Sequence, residues 1–543
     1  MTIGAQGLNI ASNPLLSSIA GTVYARSGPV TYAFENAGAL TDRGSSNYQG
    51  GSNYTSAWST ADKDAFRAVV QQFMDVANVT VSEAFSTASA DITLQMVDAV
   101  PGGWGGYAGG DTFVVGSVNK GLLLHEFGHS MSLGHTHSDS FRTDIFPGVT
   151  SSTDSGDFGM NSKLYSIMSY NWEGYSGFSG KVYSHDSLGT LDIASLQAMY
   201  GANSNHRTGD DTYTLLNKEY LTIWDAGGRD HMDFSDAIFE TVIDLRAAHL
   251  QLAEGGAGRP SYVGDDPNDY GGYTIAYGVT IEDATGGIAD DVITGNAAAN
   301  MLNGMAGNDK IYAGGRADRI DGGLGDDRMF GGKGNDVFDA GTGRDVFVGG
   351  LGIDTVNYSD AGPGLRIELE TLARNTGSAL GDRLFDIENL VGGAYRDVLR
   401  GDENDNRIAG GDGQDLLDGR DGNDILRGDG DRDQLLGRAG NDTLFGGAGW
   451  DRLEGGAGDD TLNGGGGRDT FVFDGGRDVI EDFGLDRLVL DSDLWTGNLT
   501  RSEVMDFARL KTGDLIFDFD NGNTLTLEDF TQINRLETVL TLA

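Results

Sequence analysis

The sequence predicts a multidomain protein in which a mixed α/β domain is followed by a parallel β-roll of short repeats and a C-terminal all-β cap. Three observations carry this. Helix and strand periodicities of ordinary globular kind are confined to residues 1 to about 205. From Gly286 a nine-residue motif recurs, eight steps to Asn357 and nine more from Gly392 to Val472. Beyond the repeats, apolar residues alternate as they do in strands.

In chain order, residues 1–20 read as a short N-terminal arm or propeptide, and 21–205 as the α/β domain. Within it VTYAF (30–34) and ADITLQMV (90–97) alternate like strands. The segment 59–76 has apolar residues at helical spacing behind Ser59 or Thr60 as cap. Helices are expected again at 120–133 and at 191–200, the latter closed by Gly201. Residues 206–285 form a β-rich connector, 286–357 a first repeat array, 358–391 a non-repeat insert, 392–472 a second array and 473–543 the cap. In the cap, Asn521-Gly522 marks a hairpin turn.

The repeat reads G-G-x-G-x-D-x-U-x, with U apolar. Its glycines allow tight turns at positive φ, U faces the core, and the Asp at position six points at the neighbouring turn. Carboxylates and turn carbonyls stacked in this way suit calcium, with several ions in structural roles. A disordered linker would not keep Asp and U in phase over so many steps.

Composition agrees. The net charge of -45 disfavours nucleic acid and invites cations. With no cysteine, disulfides, thiolate metal sites and thiol nucleophiles are excluded. The start, MTIGAQGLNIASNPLLSS, lacks a basic segment and an apolar run, and no stretch is long enough for membrane insertion.

Half of the chain's eight histidines fall within HEFGHSMSLGHTH (125–137). His125 and His129 project from one helical face and can bind one ion. Glu126 is offset by one position, which places its carboxylate beside a metal-bound water as general base. A third ligand must come from the chain after the helix ends, and two arrangements are open. Ser132 takes a left-handed turn and His135 binds, or the helix runs on, turns at Gly134 and presents His137. Met168 and Tyr170 in YSIMSYN (165–171) would by themselves be a core methionine and a buried tyrosine.

Taken together, the zinc helix, SIMSY, LDIASLQAMYGAN, WDAGGRD, GVTIEDATGG and the repeats resemble the serralysins, secreted zinc endopeptidases of the metzincin group. The resemblance implies one catalytic Zn2+ held by His125, His129, His135 and, at rest, Tyr170. It implies Glu126 as base, Tyr170 also as an oxyanion stabiliser, and Met168 as an apolar floor below the metal in a metzincin-like domain. It further implies Ca2+ at Asp225, Gly227, Gly228 and Asp230, and at Glu282 with Gly287, Ala289 and Asp291. The next turns would add Asn296, Ala298 and Asn300, then Gly304, Ala306, Gly307 and Asp309. The remaining repeats extend the set to Asp318, Gly323, Gly325, Asp327, Gly332, Gly334, Asp336, Asp345 and Asp354 in the first array. In the second they supply Asp397, Asp415, Asp424, Asp433, Asp442, Asp451, Asp460 and Asp469. The family has glycine where this chain has Ser132, and usually proline where it has Thr136.

The function expected is a secreted endopeptidase acting on protein and peptide substrates as a monomer. Export is expected by type I secretion machinery, because the ending Glu537-Thr538-Val539-Leu540 resembles its C-terminal signal. The alternative is a calcium-dependent adhesin with an inactive protease domain, against which Glu126 speaks. A serine esterase would need a G-x-S-x-G elbow, which the sequence lacks.

Overall fold

The computed structural model describes residues 13–17, 28–35, 55–97, 106–109, 112–115, 119–133, 135, 147, 149, 162, 164–169, 187–215, 220–253, 255–264, 271–369, 375–519 and 522–543. It divides into two compact units, Met1–Ala284 and Thr285–Ala543. Among the described residues no helix is long and apolar enough to cross a membrane.

The first unit holds helices α1 (Pro14–Ser17), α2 (Thr60–Val76), α3 (Lys120–Ser130) and α4 (Thr190–Tyr200). Its strands β1 (Val30–Phe34), β2 (Thr55–Ser56), β3 (Val81–Glu83), β4 (Ile92–Val97), β5 (Gly106–Gly109) and β6 (Thr112–Val115) form one sheet of order β3-β1-β4-β6-β5, with β2 on β4. Pairing is parallel from β3 to β6, and β5 closes the edge antiparallel. Ser59 starts α2 in a capping box with Asp62. Phe66, Val69, Val70, Phe73 and Val76 then bury one helical face, and each fully buried side chain contributes roughly 1.5–3 kcal/mol. Phe127 of α3 meets Phe66 and Phe73 edge to face at 5.4 and 4.9 Å, so the helix carrying the histidines is held by this aromatic core. Further on, Tyr220–Ile223 pairs parallel with Gly272–Ile275, and Ser261–Val263 and Thr241–Asp244 follow antiparallel.

In the repeat arrays of the second unit strands pair in parallel with the strand eighteen residues on, as Ile293 with Ile311 and Leu302 with Ile320. Two nonapeptides therefore make one full turn, and alternate repeats build opposite sheets. The U residues stack inward, with Ile311, Ile320, Met329, Phe338, Leu426 and Leu444 fully buried. Gly323 and Gly325 show why the turns need glycine. Their φ values are 88° and 132°, and a Cβ would fall 2.1 Å from the Met305 carbonyl oxygen and 1.7 Å from that of Gly307.

Two features add to the expected architecture. The non-repeat insert 358–391 contributes strands to the roll. Arg383–Phe385 completes one sheet on Val346–Val348, Asn389–Val391 continues the opposite sheet on Thr355–Asn357, and Arg366–Glu368 opens a new sheet joined by Val398–Arg400. Extra chain looped out between pairing positions leaves the pairing itself intact. The cap is also not all-β. Arg501–Val504 is a helical turn fixed by a Thr500/Glu503 capping box, and Ile533–Val539 is a helix whose Leu536 is buried. After it, Leu540–Leu542 pairs with Leu488–Leu490. The expected hairpin joins Asp514–Asp518 to Thr524–Leu527, while Asn521 of its turn lies outside the described residues.

Candidate metal centre

Helix α3 starts on Asn119, whose side chain accepts from the Leu122 amide. It ends in a Schellman motif. The Leu133 amide donates to the Gly128 carbonyl and the Ser132 amide to that of His129, while Ser132 sits at φ 74° in the left-handed region. The chain then turns back and brings His135 over the helix. Its Nε2 lies 3.1 Å from Nε2 of His125 and 3.0 Å from Nε2 of His129.

The outer nitrogens set the tautomers. His125 Nδ1–H donates to the Ile167 carbonyl at 2.7 Å and His129 Nδ1–H to the Leu133 carbonyl at 2.8 Å. A carbonyl can only accept, so both Nε2 atoms carry lone pairs. Burial first, and then the neighbouring His125 and His135, hold the His129 imidazole far below its ordinary pKa and hence neutral. Three ring nitrogens at this spacing, two of them fixed as lone-pair donors, fit a tetrahedral ion, whose ligands about 2.0–2.1 Å away stand about 3.3 Å apart. The donor set suits zinc. Glu126 is buried on the same helix. Met168 is buried below, and a Cβ on Gly128 would come 3.2 Å from its Sδ. Tyr170, Gly134, Thr136 and His137 lie outside the described residues.

One residue missed by sequence reasoning holds this floor in place. Asp192, fully buried at the start of α4, accepts from Ser166 Oγ (2.7 Å), the Ile167 amide (2.8 Å) and the Gly189 amide (2.9 Å). Burial pushes its carboxyl up to about 6 against those three donors. The residue whose amide it grips, Ile167, is the one whose carbonyl orients His125. An acidic residue in the first turn after a glycine was the available signal.

The acidic sites are also assembled. Asp225 and Asp230 converge with Asp211, which sequence reasoning missed, their carboxylate oxygens lying within 4.8 Å of one another. Asp225 accepts from Tyr213 at 2.5 Å, and Asp230 is pushed up to about 7 by burial and by Asp225, Glu282 and Asp211. Gly227 and Gly228 lie at φ 138° and 150°. A Cβ on Gly228 would fall 2.1 Å from the Gly209 carbonyl oxygen.

In the roll the position-six carboxylates form ladders. One oxygen of each accepts the amide of its counterpart a turn earlier, as Asp309 from Asp291, Asp318 from Asn300, Asp327 from Asp309 and Asp424 from Asn406. The other oxygen of Asp309, Asp318, Asp336, Asp354, Asp415, Asp424, Asp433, Asp442, Asp451 and Asp460 is buried without a protein donor. A buried carboxylate oxygen of this kind needs a cation or a proton, so the turns fit calcium. Burial, with Asp327 and Asp291 close by, pushes Asp309 up to about 8. The ladders run on through Asp478, one step past the second array, through Glu388, one step before it, and through Asp382 and Asp486, which lie out of the nonapeptide register. Gly304, Gly332 and Gly334 keep the turns close, as a Cβ would fall 2.2 Å from Asp309 Oδ2, 2.4 Å from the Gly314 carbonyl oxygen and 1.9 Å from that of Arg316. Gly287 donates to Asp291, and Asn296 accepts from the Ala298 amide.

Comparison with known proteins bears on the second half of the chain most directly. Residues 190–379 match the family described as Peptidase M10 serralysin C terminal, and 386–417, 418–449 and 445–480 match the RTX calcium-binding nonapeptide repeat. Serralysin of Proteus mirabilis is 32% identical over 34% of this chain and 37% of its own length. Serralysin G of Dickeya chrysanthemi is 32% identical over 50% and 60%, and metallopeptidase AprA of Pseudomonas marginalis 31% over 49% and 59%. The matched part thus spans less than two thirds of these relatives. Among solved structures, the extracellular lipase LipA of Serratia marcescens matches 50% of this chain and 44% of its own at 19% identity and a TM-score of 0.18, too low to bear on the fold. In sequence, then, residues 190–379 are similar to the serralysin C-terminal region and residues 386–480 to RTX calcium-binding repeats.

Proposed function

We propose that the chain is a secreted zinc-dependent endopeptidase that hydrolyses peptide bonds of extracellular proteins and is folded by calcium. The observation that carries this is the convergence of three imidazole nitrogens over a helix that also bears Glu126. Zinc held there by His125, His129 and His135 supplies Lewis acidity and brings the pKa of water down toward about 7. Glu126 takes the proton of the attacking water and passes it to the leaving amine. By the resemblance to serralysins, Tyr170 would be a further holder of that zinc and its hydroxyl would stabilise charge on the carbonyl oxygen. Met168 and the Asp192 bonds keep the imidazoles oriented. The ladder carboxylates would hold calcium outside the cell and supply the folding energy it brings, and the residues near Leu540 would address the chain to type I export machinery.

Glu126→Gln tests this reading. With the base removed and the ligands intact, peptide turnover should fall to below about one per cent while metal analysis still finds about one zinc per chain. A wild-type chain that binds no zinc, or a variant that keeps its turnover, refutes it.

A further inference from the structure

The second array contains three exposed arginines that the acidic ladders do not explain. Position five of the turns that lead into Asp397, Asp415, Asp433, Asp451 and Asp469 is Arg396, Gln414, Arg432, Trp450 and Arg468. These turns stack directly. The Asp397, Asp415, Asp433 and Asp451 amides each donate to the carboxylate one turn on, at 2.8–2.9 Å. The five side chains form one column, all exposed, and Trp450 is 63% accessible.

In two of the other rows position five has a structural task. Asp290 and Asn308 each accept the amide of the next turn in one row, and Asp405, Asn423 and Asn441 do so in another. The third row abandons that bond and carries arginine, glutamine and tryptophan. Among the described residues Arg396, Arg432 and Arg468 take part in no ion pair, whereas Arg400, Arg420, Arg438 and Arg452 of the same array do. A large exposed indole flanked by unpaired guanidiniums is costly on a soluble surface unless it meets something. Its surroundings are open. A Cβ on Gly467 would lie 3.3 Å from Trp450 Cδ1, so the indole edge rests against a turn, Gly464–Gly467, that has no side chains.

We propose that this column binds a linear acidic polysaccharide built of uronic acids. Adjacent turns are about 4.8 Å apart, so the arginines recur about every 10 Å. A pyranose ring advances a linear chain by close to one such step, which sets every second sugar carboxylate against an arginine. An extended peptide repeats its same-face side chains at about 6.6 Å and falls out of step. The rest of the face suits sugars as well. Trp450 and the exposed Tyr395 offer flat apolar surfaces to ring C–H groups. Gln414, Asp412 and Asp431 offer hydrogen-bond acceptors to hydroxyls, which an acidic peptide lacks. The remote carboxylates of this acidic chain act little here, since salt screens them beyond ~8 Å.

The test uses the full chain in calcium-containing buffer at physiological salt, with a galacturonate hexamer as probe and a maltose-type hexamer and hexaglutamate as comparisons, read by calorimetry. The galacturonate hexamer should bind and the neutral hexamer should not. Trp450→Ala and the double variant R432Q/R468Q should each weaken the binding about 10-fold or more. Lys333→Gln, on a different turn row, should leave it unchanged, and Trp450→Phe should retain most of it. Thermal unfolding of every variant is compared with wild type, so that a folding defect is seen as such. A wild-type chain that ignores galacturonate, or folded variants that bind it as well as wild type, overturns the proposal. Hexaglutamate bound as tightly through the same residues would make this a peptide-docking face and overturn it too.

Discussion

Ser132 stands at a position where the backbone needs a left-handed turn, and the Schellman bonds form around it all the same. A side chain at φ 74° costs about 1 kcal/mol relative to glycine. Ser132→Gly should accordingly stabilise the folded protein by about 1 kcal/mol in denaturant titrations. An unchanged or lower midpoint would mean that the hydroxyl already offsets the strain. The same turn decides which histidine faces the other two. His135→Ala should lose its zinc and His137→Ala should keep it, as measured by metal content after dialysis. The opposite pattern would move the third ligand to His137. This residue-scale geometry was half legible, because the i, i+4, i+10 spacing of the histidines pointed to a shared ion while the sequence left two possible turns open. The backbone bonds from Leu133 and Ser132 are what put His135, rather than a longer helix, over the site.

Between elements, the segment 164–169 is tied to α4 by Asp192 and by the Leu191 amide donating to the Tyr165 carbonyl at 3.0 Å. Asp192→Asn keeps the size of the side chain but exchanges one acceptor for a donor facing an amide. The Ile167 carbonyl should then orient His125 less well. Zinc affinity measured by chelator competition is expected to drop about 10- to 100-fold, as for outer-shell partners of metal ligands. Unchanged affinity in a folded variant would make Asp192 a purely structural cap. Such ties are poorly legible, since LDIASL reads only as the start of a buried helix. The repeats lie at the other extreme. Gly, Asp and U recur in fixed phase, and the turns, ladders and inward columns follow from that phase. Legibility stops again at the insert. Arg366, Ile367 and Glu368 have no flanking repeat glycines, and they pair with residues thirty-two positions on. Three arginines then surround the buried Glu368, an arrangement made by long-range contact alone.

For the whole molecule, the ladders couple folding to both protons and calcium. Burial raises Asp424 to about 7, Asp309 to about 8 and Asp478 to about 9, so without calcium the folded chain binds more protons than the unfolded one. Stability of the calcium-free roll is therefore fullest below the ordinary carboxylate range and is lost as pH rises through about 7 to 9. In chelator, circular dichroism should show strand signal at pH 5 that fades by pH 8, and calcium at pH 8 should restore it. Equal strand signal at both pH values in chelator would contradict the coupling. The insert bears on how that transition spreads. One sheet passes it unbroken, from Met301–Asn303 through the pairing of Thr355–Asn357 with Asn389–Val391 to Arg477–Ile480, while only the opposite sheet is exchanged. The two arrays share a continuous spine, so the sixteen or so extra residues interrupt the repeat without creating a hinge. They should melt as a single cooperative block, giving one calorimetric peak for residues 301 to 480 where two independent solenoids would give two.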